Sequence, residues 1–346
     1  MASGSCMRIV VTGGAGFIGS AVCRRLVGER GATVLNLDKL TATSSLASLE
    51  PISRSPRYSF RRADVCDRER LSALLHAFSP DAIVHAAFER QWGADATSSE
   101  ATFETNVLGT WRMLDAACDY WSTLSFARQE KFRFLSVSSV AGRDTPATAS
   151  RSGADDLVSA WHKSYGLPTI VSKAVDTFGP YQFTGHPVAA AAIAAIDGDD
   201  AANEFGGARD WLFLDDHVSA LLAMLDKGTP GATYSIAGRG RMSPAGMSAR
   251  VRELVARHGA KPHLALGSLA AARIATQSAG SSAPLVAGTE ATITARLSHD
   301  TGWRASATAD EALSETVRWY LANEAWWRPL QAATNATGDF GLLRIA

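Results

Sequence analysis

Three glycines spaced three apart, Gly13, Gly16 and Gly19, stand between a short apolar run, Arg8 to Val11, and a segment with helical spacing, Ser20 to Val27. At such a turn one glycine permits a tight bend, another lets backbone N–H groups approach a pyrophosphate, and a third lets the helix pack closely on the strand. A second apolar run, Thr33 to Leu37, ends in Asp38, 19 residues beyond Gly19. A carboxylate in that place can accept hydrogen bonds from both hydroxyls of an adenosine ribose, and it repels an added 2′-phosphate. A glycine triplet alone is weak evidence, since any sharp turn uses glycine. Strand, turn, helix, strand and terminal acid in this order predict a Rossmann-type unit over residues 8 to 38 that takes NAD in preference to NADP. Lys39, next to the acid, works against that discrimination. The phosphates are expected where the helix begins, at Phe17 and Ile18, because the first turn of a helix leaves its N–H groups unpaired.

Other chemistries find less support. Cys6, Cys23, Cys66 and Cys118 are scattered without close pairs, which suggests neither a zinc knuckle nor a disulfide framework. No metal site is expected. The 34 Lys plus Arg balance 34 Asp plus Glu, which removes a global electrostatic case for nucleic acid or an anionic membrane. No uncharged apolar stretch is long enough to span a bilayer, and the short lead before Arg8 lacks the apolar core of a signal peptide. The expectation is a cytoplasmic chain whose partners are small molecules or protein.

The elements that must position these residues follow from periodicity. Further strands are expected at Tyr58 to Arg61, Ala82 to His85, Phe132 to Val137 and Thr169 to Val171, alternating with helical patterns such as Arg68 to Phe78 and Thr102 to Trp121. That alternation predicts an α/β fold with a doubly wound parallel sheet. After Gly179-Pro180 the texture changes to an Ala-rich helix at Pro187 to Ile196, a polar loop at Asp197 to Gly207, and helices at His217 to Leu225, Met247 to His258 and Ala309 to Glu324. Gly267 to Gly288, rich in Ala, Ser and Gly, reads as loop. The expected division is a nucleotide-binding domain over 7–180, with 208–235 returning to it. A smaller mixed C-terminal substrate lobe would comprise 181–207 and 236–330, followed by a tail over 331–346.

The string Thr12 to Gly19 with Asp38-Lys39-Leu40-Thr41 resembles the extended short-chain dehydrogenase/reductases, and among them the dTDP-glucose 4,6-dehydratases. Glu104-Thr105-Asn106-Val107-Leu108-Gly109-Thr110, Tyr165 to Val171, Gly179-Pro180-Tyr181 and Arg209-Asp210-Trp211 extend the likeness through most of the chain. The resemblance implies that Asp64 and Val65 flank the adenine, that Ala87 lines the cofactor groove and that Thr105 lies near the nicotinamide side. It also implies that Arg209 meets the phosphates of a nucleotide sugar and that Glu89 lies on the substrate side. Helices 102–121 and 152–165 correspond to those of a four-helix homodimer interface.

The same resemblance marks departures at the reacting end. Dehydratases of this family oxidise the sugar with a tyrosinate from a Tyr-x-x-x-Lys motif, whose lysine helps lower a phenol pKa otherwise near about 10. Here the motif reads Ala147 and Arg151. A methyl group carries no proton; the guanidinium of Arg151, a permanent donor, could still hydrogen-bond the nicotinamide ribose, but it does not titrate. Where the family reads Ser-Thr-Asp-Glu-Val-Tyr-Gly, this chain reads Ser138-Ser139-Val140-Ala141-Gly142, without the two carboxylates. Asp144 is displaced by the gap, and Glu89-Arg90-Gln91-Trp92-Gly93 stands in place of Glu-Ser-His-Val-Asp. Three readings follow: an NAD-binding homologue with the family's catalysis lost or altered, an NAD-dependent enzyme using Ser138, Ser139, His85 or Arg151 on another substrate, and an active dehydratase with unrecognised stand-ins.

Overall fold

The structure is a computed structural model that describes residues 6–41, 43–89, 96–140, 145–199, 209–258 and 293–337. Seven strands, β1 (Arg8–Thr12), β2 (Thr33–Asp38), β3 (Tyr58–Arg62), β4 (Ala82–His85), β5 (Arg133–Ser139), β6 (Thr169–Ala174) and β9 (Thr233–Ile236), form one sheet in the order β3-β2-β1-β4-β5-β6-β9. Every pairing in it is parallel. A parallel sheet is covered on both faces, so its strands read as apolar runs. In β1, Ile9 and Val11 enter one core and Val10 the other, the period-two alternation of a strand. Helices Phe17–Gly28 and Leu214–Lys227 cover the first face, while Arg68–Phe78, Thr110–Ser122 and Pro146–Tyr165 cover the second.

Strand order reverses between β1 and β4, and a doubly wound sheet opens a crevice at the carboxyl ends of its strands at such a point. The smaller part has β10 (Arg241–Met242) antiparallel to β8 (Arg209–Phe213), which is parallel to β7 (Asp176–Phe178). A third core joins this sheet to helices Pro187–Asp197, Pro244–Arg257 and Ala309–Ala322. Within 208–235, β8 therefore belongs to the small sheet, while helix Leu214–Lys227 and β9 lie with the large one.

Two elements differ from the periodicity. The helix expected at Thr102 to Trp121 begins at Ala96 and is wound in the wider π form over Glu104–Gly109 before continuing as Thr110–Ser122. Such π segments occur often at functional sites, and this one carries Thr105 and Asn106. Helix Glu324–Thr337 runs into the segment read as a tail, with the Trp327 ring fully buried in the third core. No helix among the described residues is long and apolar enough to cross a membrane.

His85 ends β4 within the core, its Nδ1 2.8 Å from the Thr12 hydroxyl and its Nε2 3.1 Å from that of Thr110. Both ring nitrogens are occupied, so His85 is a structural residue and not a group facing the cofactor. Burial, assisted by the charge of Arg151, pushes the pKa of His85 and of the buried His217 down from 6.5 to about 3. Between those values the unfolded chain binds more protons than the folded one, so the stability is complete above the unfolded value and is lost as pH falls towards about 3. The unfolding free energy from urea titration is expected to fall on acidification from neutral pH, by up to about 1.4 kcal/mol per pH unit for each histidine. A flat profile over that interval contradicts the neutral assignment.

Candidate functional site

The glycine turn is shaped by close backbone approach. Gly13 has φ +68°, and a methyl group there would lie 2.6 Å from the carbonyl oxygen of Ala86 at the end of β4. A methyl on Gly19 would run into the carbonyl of Gly13. The Gly13 N–H donates to the Leu37 carbonyl at 2.8 Å, which ties the turn to β2. Helix Phe17–Gly28 starts at Gly16 with no side-chain cap, so its first-turn N–H groups, with the positive end of the helix dipole, suit a phosphate.

Asp38 is buried at the end of β2. Its carboxylate accepts from the Ala15 N–H at 2.9 Å, the Leu40 N–H at 2.7 Å and the Ser44 hydroxyl at 3.1 Å. A carboxylate has about four acceptor sites, so ribose hydroxyls would share it with these donors and compete with Ser44. Burial pushes the Asp38 carboxyl above its usual value, against the N–H groups of Leu40 and Ala15, the Ser44 hydroxyl and the Lys39 charge.

Lys39 crosses the cleft to form an ion pair with Glu89, and its ammonium donates to the Thr105 hydroxyl at 2.8 Å. Thr105 in turn donates to Glu89 at 3.2 Å. Burial works to lower the Lys39 pKa, but the hydrogen bond and charge of Glu89 outweigh it and the ammonium is held above its ordinary value. The fully buried Asn106 fixes this wall. Its carbonyl accepts from the Glu89 N–H at 2.8 Å, and its amide donates to the Glu89 carbonyl and to the Ser150 hydroxyl, both at 3.0 Å.

The β4–β5 side has a different character. Thr145 and Thr148 cap helix Pro146–Tyr165 reciprocally, with Pro146 in its first turn, and this sets Ala147 and Arg151 at its start. Arg151 donates to the Ser139 hydroxyl at 2.9 Å and lies over the Phe88 ring, 4.4 Å from its centre. Ser138 donates to Asp155 at 3.1 Å, and Lys173 pairs with the same carboxylate oxygen at 3.1 Å. Burial pushes the Asp155 carboxyl up while Lys173, Ser138 and Arg151 pull it down.

Gly13, Gly16, Asp38, Lys39, Val65, Ala87, Glu89 and Thr105 line one cleft of about 70 Å³. Glu89, expected on the substrate side, lines this cleft together with Thr105, which is bonded to Lys39. Asp64 accepts from the Cys66 N–H at 2.9 Å. Arg209 pairs with Asp176 at 3.1 Å in the small sheet and is not among the residues that line the cleft. Phe88, Asn106, Asp155 and Lys173 were not singled out from sequence. Only Asn106 carried a signal, a polar amide inside an otherwise helical pattern. Arg90 to Gly93, Ala141, Gly142, Asp144 and the loop at Gly267 to Gly288 lie outside the described residues, as does most of the loop at Asp197 to Gly207.

The glycine cradle, the uncapped helix start and a buried acid one strand over together suit the adenosine and pyrophosphate of a dinucleotide. In agreement with that geometry, the NAD dependent epimerase/dehydratase family model matches residues 9–237, and the chain belongs to this family, among the extended short-chain dehydrogenase/reductases. Within it the chain is similar to dTDP-glucose 4,6-dehydratases. It is 35% identical to the probable dTDP-glucose 4,6-dehydratase of Sinorhizobium fredii, over 98% of this chain and 100% of that one. It is 33% identical to the dTDP-glucose 4,6-dehydratase of Neisseria meningitidis serogroup B, over 93% and 95% respectively. The Bacillus anthracis dTDP-glucose 4,6-dehydratase, solved in complex with NAD, matches the fold with a TM-score of 0.76 at 25% identity, covering 94% of this chain and 99% of that one.

Two substitutions test the cradle. Gly13→Ala places a side chain at positive φ against Ala86 and is expected to cost at least about 1–3 kcal/mol in urea unfolding and to abolish NAD binding. Asp38→Asn is expected to weaken NAD by about tenfold or more, since it removes charge-assisted acceptors worth about 1.5–3 kcal/mol. In the native chain, protonation of Asp38 removes those acceptors, so NAD affinity should fall as pH drops through a value above that of an exposed aspartate. The Asn variant should not show that step. A pH profile shared by both proteins would assign the step to another group.

Proposed function

We propose that this chain binds NAD through its adenosine and pyrophosphate half and has lost the 4,6-dehydration of dTDP-glucose. The observation that carries this reading is the engagement of Arg151. It stands where the resemblance puts the lysine of the reactive pair, and it is bonded to Ser139 and stacked on Phe88. The tyrosine's place is taken by Ala147. Bound NAD supplies a hydride acceptor, but using it on a sugar hydroxyl requires a base, and no titratable side chain stands in the first turn of helix Pro146–Tyr165. Loss of general acid–base help alone costs about 100-fold to 10,000-fold, and here the base, its lysine and the elimination acids are all changed. NAD-loaded protein incubated with dTDP-glucose is therefore expected to give no measurable dehydration. Turnover in the range of ordinary dehydratases would restore the active-enzyme reading.

A second reading is favoured by one feature. The buried Asp155 holds Lys173 and Ser138 beside the β5–β6 ends, a polar group suited to another substrate. A panel of nucleotide sugars distinguishes the two, because hydride transfer changes the nicotinamide absorbance and passive binding does not. Arg209, released from Asp176, is the group we assign to a nucleotide sugar's phosphates.

The packed helices Thr110–Ser122 and Pro146–Tyr165 support a homodimer. Large apolar side chains stand exposed at Trp111 and Tyr165 on these two helices and at Phe103 just before them, and exposed apolar surface suits an interface. Light scattering at micromolar concentration is expected to give twice the chain mass, and Trp111→Glu to shift it to a monomer. A monomeric native protein rules the interface out.

A further inference from the structure

The second half of a dinucleotide bound in a doubly wound fold lies over the strands beyond the reversal point, here β4 and β5. On that side the described groups are already committed to one another. Phe88, half-buried, leans on the His85 ring, with centroids 5.4 Å apart, and carries the Arg151 guanidinium on its other contact. Arg151 also spends a donor on Ser139. Among the described residues, the cleft is bounded by Phe88, Glu89 and Thr105 and includes neither Ser138, Ser139 nor Arg151. The adenosine side differs, since it offers Asp38, the glycine turn and the apolar wall at Val65 and Ala87.

We propose that the cleft is a receptor for the ADP-ribosyl group, holding ADP-ribose as tightly as NAD, with the nicotinamide contributing no affinity because the Phe88–Arg151 stack occupies its side. This rests on the dinucleotide reading above and deepens it by naming the half that is recognised. One physical term supports it. Seating the nicotinamide means breaking a cation–π contact and a charge-assisted hydrogen bond, and what the ring gains in contacts is offset by that rearrangement. At the other end Lys39 bridges to Glu89, and its ammonium can turn from Glu89 to a phosphate or ribose oxygen, with Thr105 still donating to Glu89.

The same arrangement sets the ligand class. Adenine enters between the Val65 and Ala87 walls, the ribose meets Asp38, and the diphosphate meets the glycine turn. Any molecule that carries adenosine 5′-diphosphate with a free 2′-hydroxyl satisfies these three contacts, whatever is attached beyond the second phosphate.

Calorimetric titration of the full chain with NAD and with ADP-ribose, in one buffer, tests the proposal. The dissociation constants are expected to agree within about threefold. Phe88→Ala removes the ring that carries the Arg151 guanidinium and opens the β4–β5 side, so the ratio of NAD to ADP-ribose affinity should rise about tenfold in that variant. NAD binding more than about threefold tighter than ADP-ribose in the native chain overturns the proposal while leaving the dinucleotide reading in place. A Phe88→Ala protein that binds both ligands with the native ratio also overturns it, since Phe88 would then be no barrier. If neither ligand binds, the dinucleotide reading itself fails, and the proposal with it.

Discussion

The contact on which the rest of the molecule depends is the approach of three backbones at Gly13. The turn after β1 lies against the end of β4 at Ala86 and against the start of helix Phe17–Gly28 at Gly19, with no room for a Cβ at either glycine. Because the turn is that tight, its Ala15 N–H reaches the Asp38 carboxylate and its Gly13 N–H reaches the Leu37 carbonyl. The strand order then does the remainder. With β2 on one side of β1 and β4 on the other, the acid, the helix start and the Glu89 wall converge on one cleft.

The two sides of that cleft are governed by different physics. On the β2 side, the polar groups line the cleft itself: Asp38 with three hydrogen bonds, and a partly exposed ion pair between Lys39 and Glu89. On the β4–β5 side, the groups are paired among themselves. Arg151 is held by Ser139 and Phe88, and Asp155 is buried with Lys173 and Ser138. Breaking the contacts of the buried Asp155 is costly, because a charge left without its partner in low dielectric loses far more than one in water.

What could be read from sequence was what is local. Gly13, Gly16, Gly19 and Asp38 act within one strand–turn–helix–strand unit, where the alternation of apolar residues and the demands of a tight turn are written in consecutive positions. Strand positions followed for the same reason, and β1 begins where its apolar run does. The partnerships were not legible. Lys39 meets Thr105 across 66 positions, and nothing in either neighbourhood announces the other. Phe88 could have been taken for one more apolar residue at a strand end, and only the folded helix Pro146–Tyr165 brings Arg151 over its ring. His85 is the converse case. Its place at a strand end allowed it to face a ligand, but strand parity turns it to the same face as Ile83 and Phe134, between two threonine hydroxyls. The π winding at Glu104–Gly109, which sets Asn106 behind Glu89, has no periodic signature short enough to be noticed.

Recognition of the adenosine half of NAD through Asp38 is tested most directly by titrating the native chain with NAD and NADP under identical conditions. NAD is expected to bind saturably and NADP more weakly by at least about tenfold, because the Asp38 carboxylate repels a 2′-phosphate and Lys39 is held by Glu89. NADP binding as tightly as NAD, or no binding of either, would contradict it.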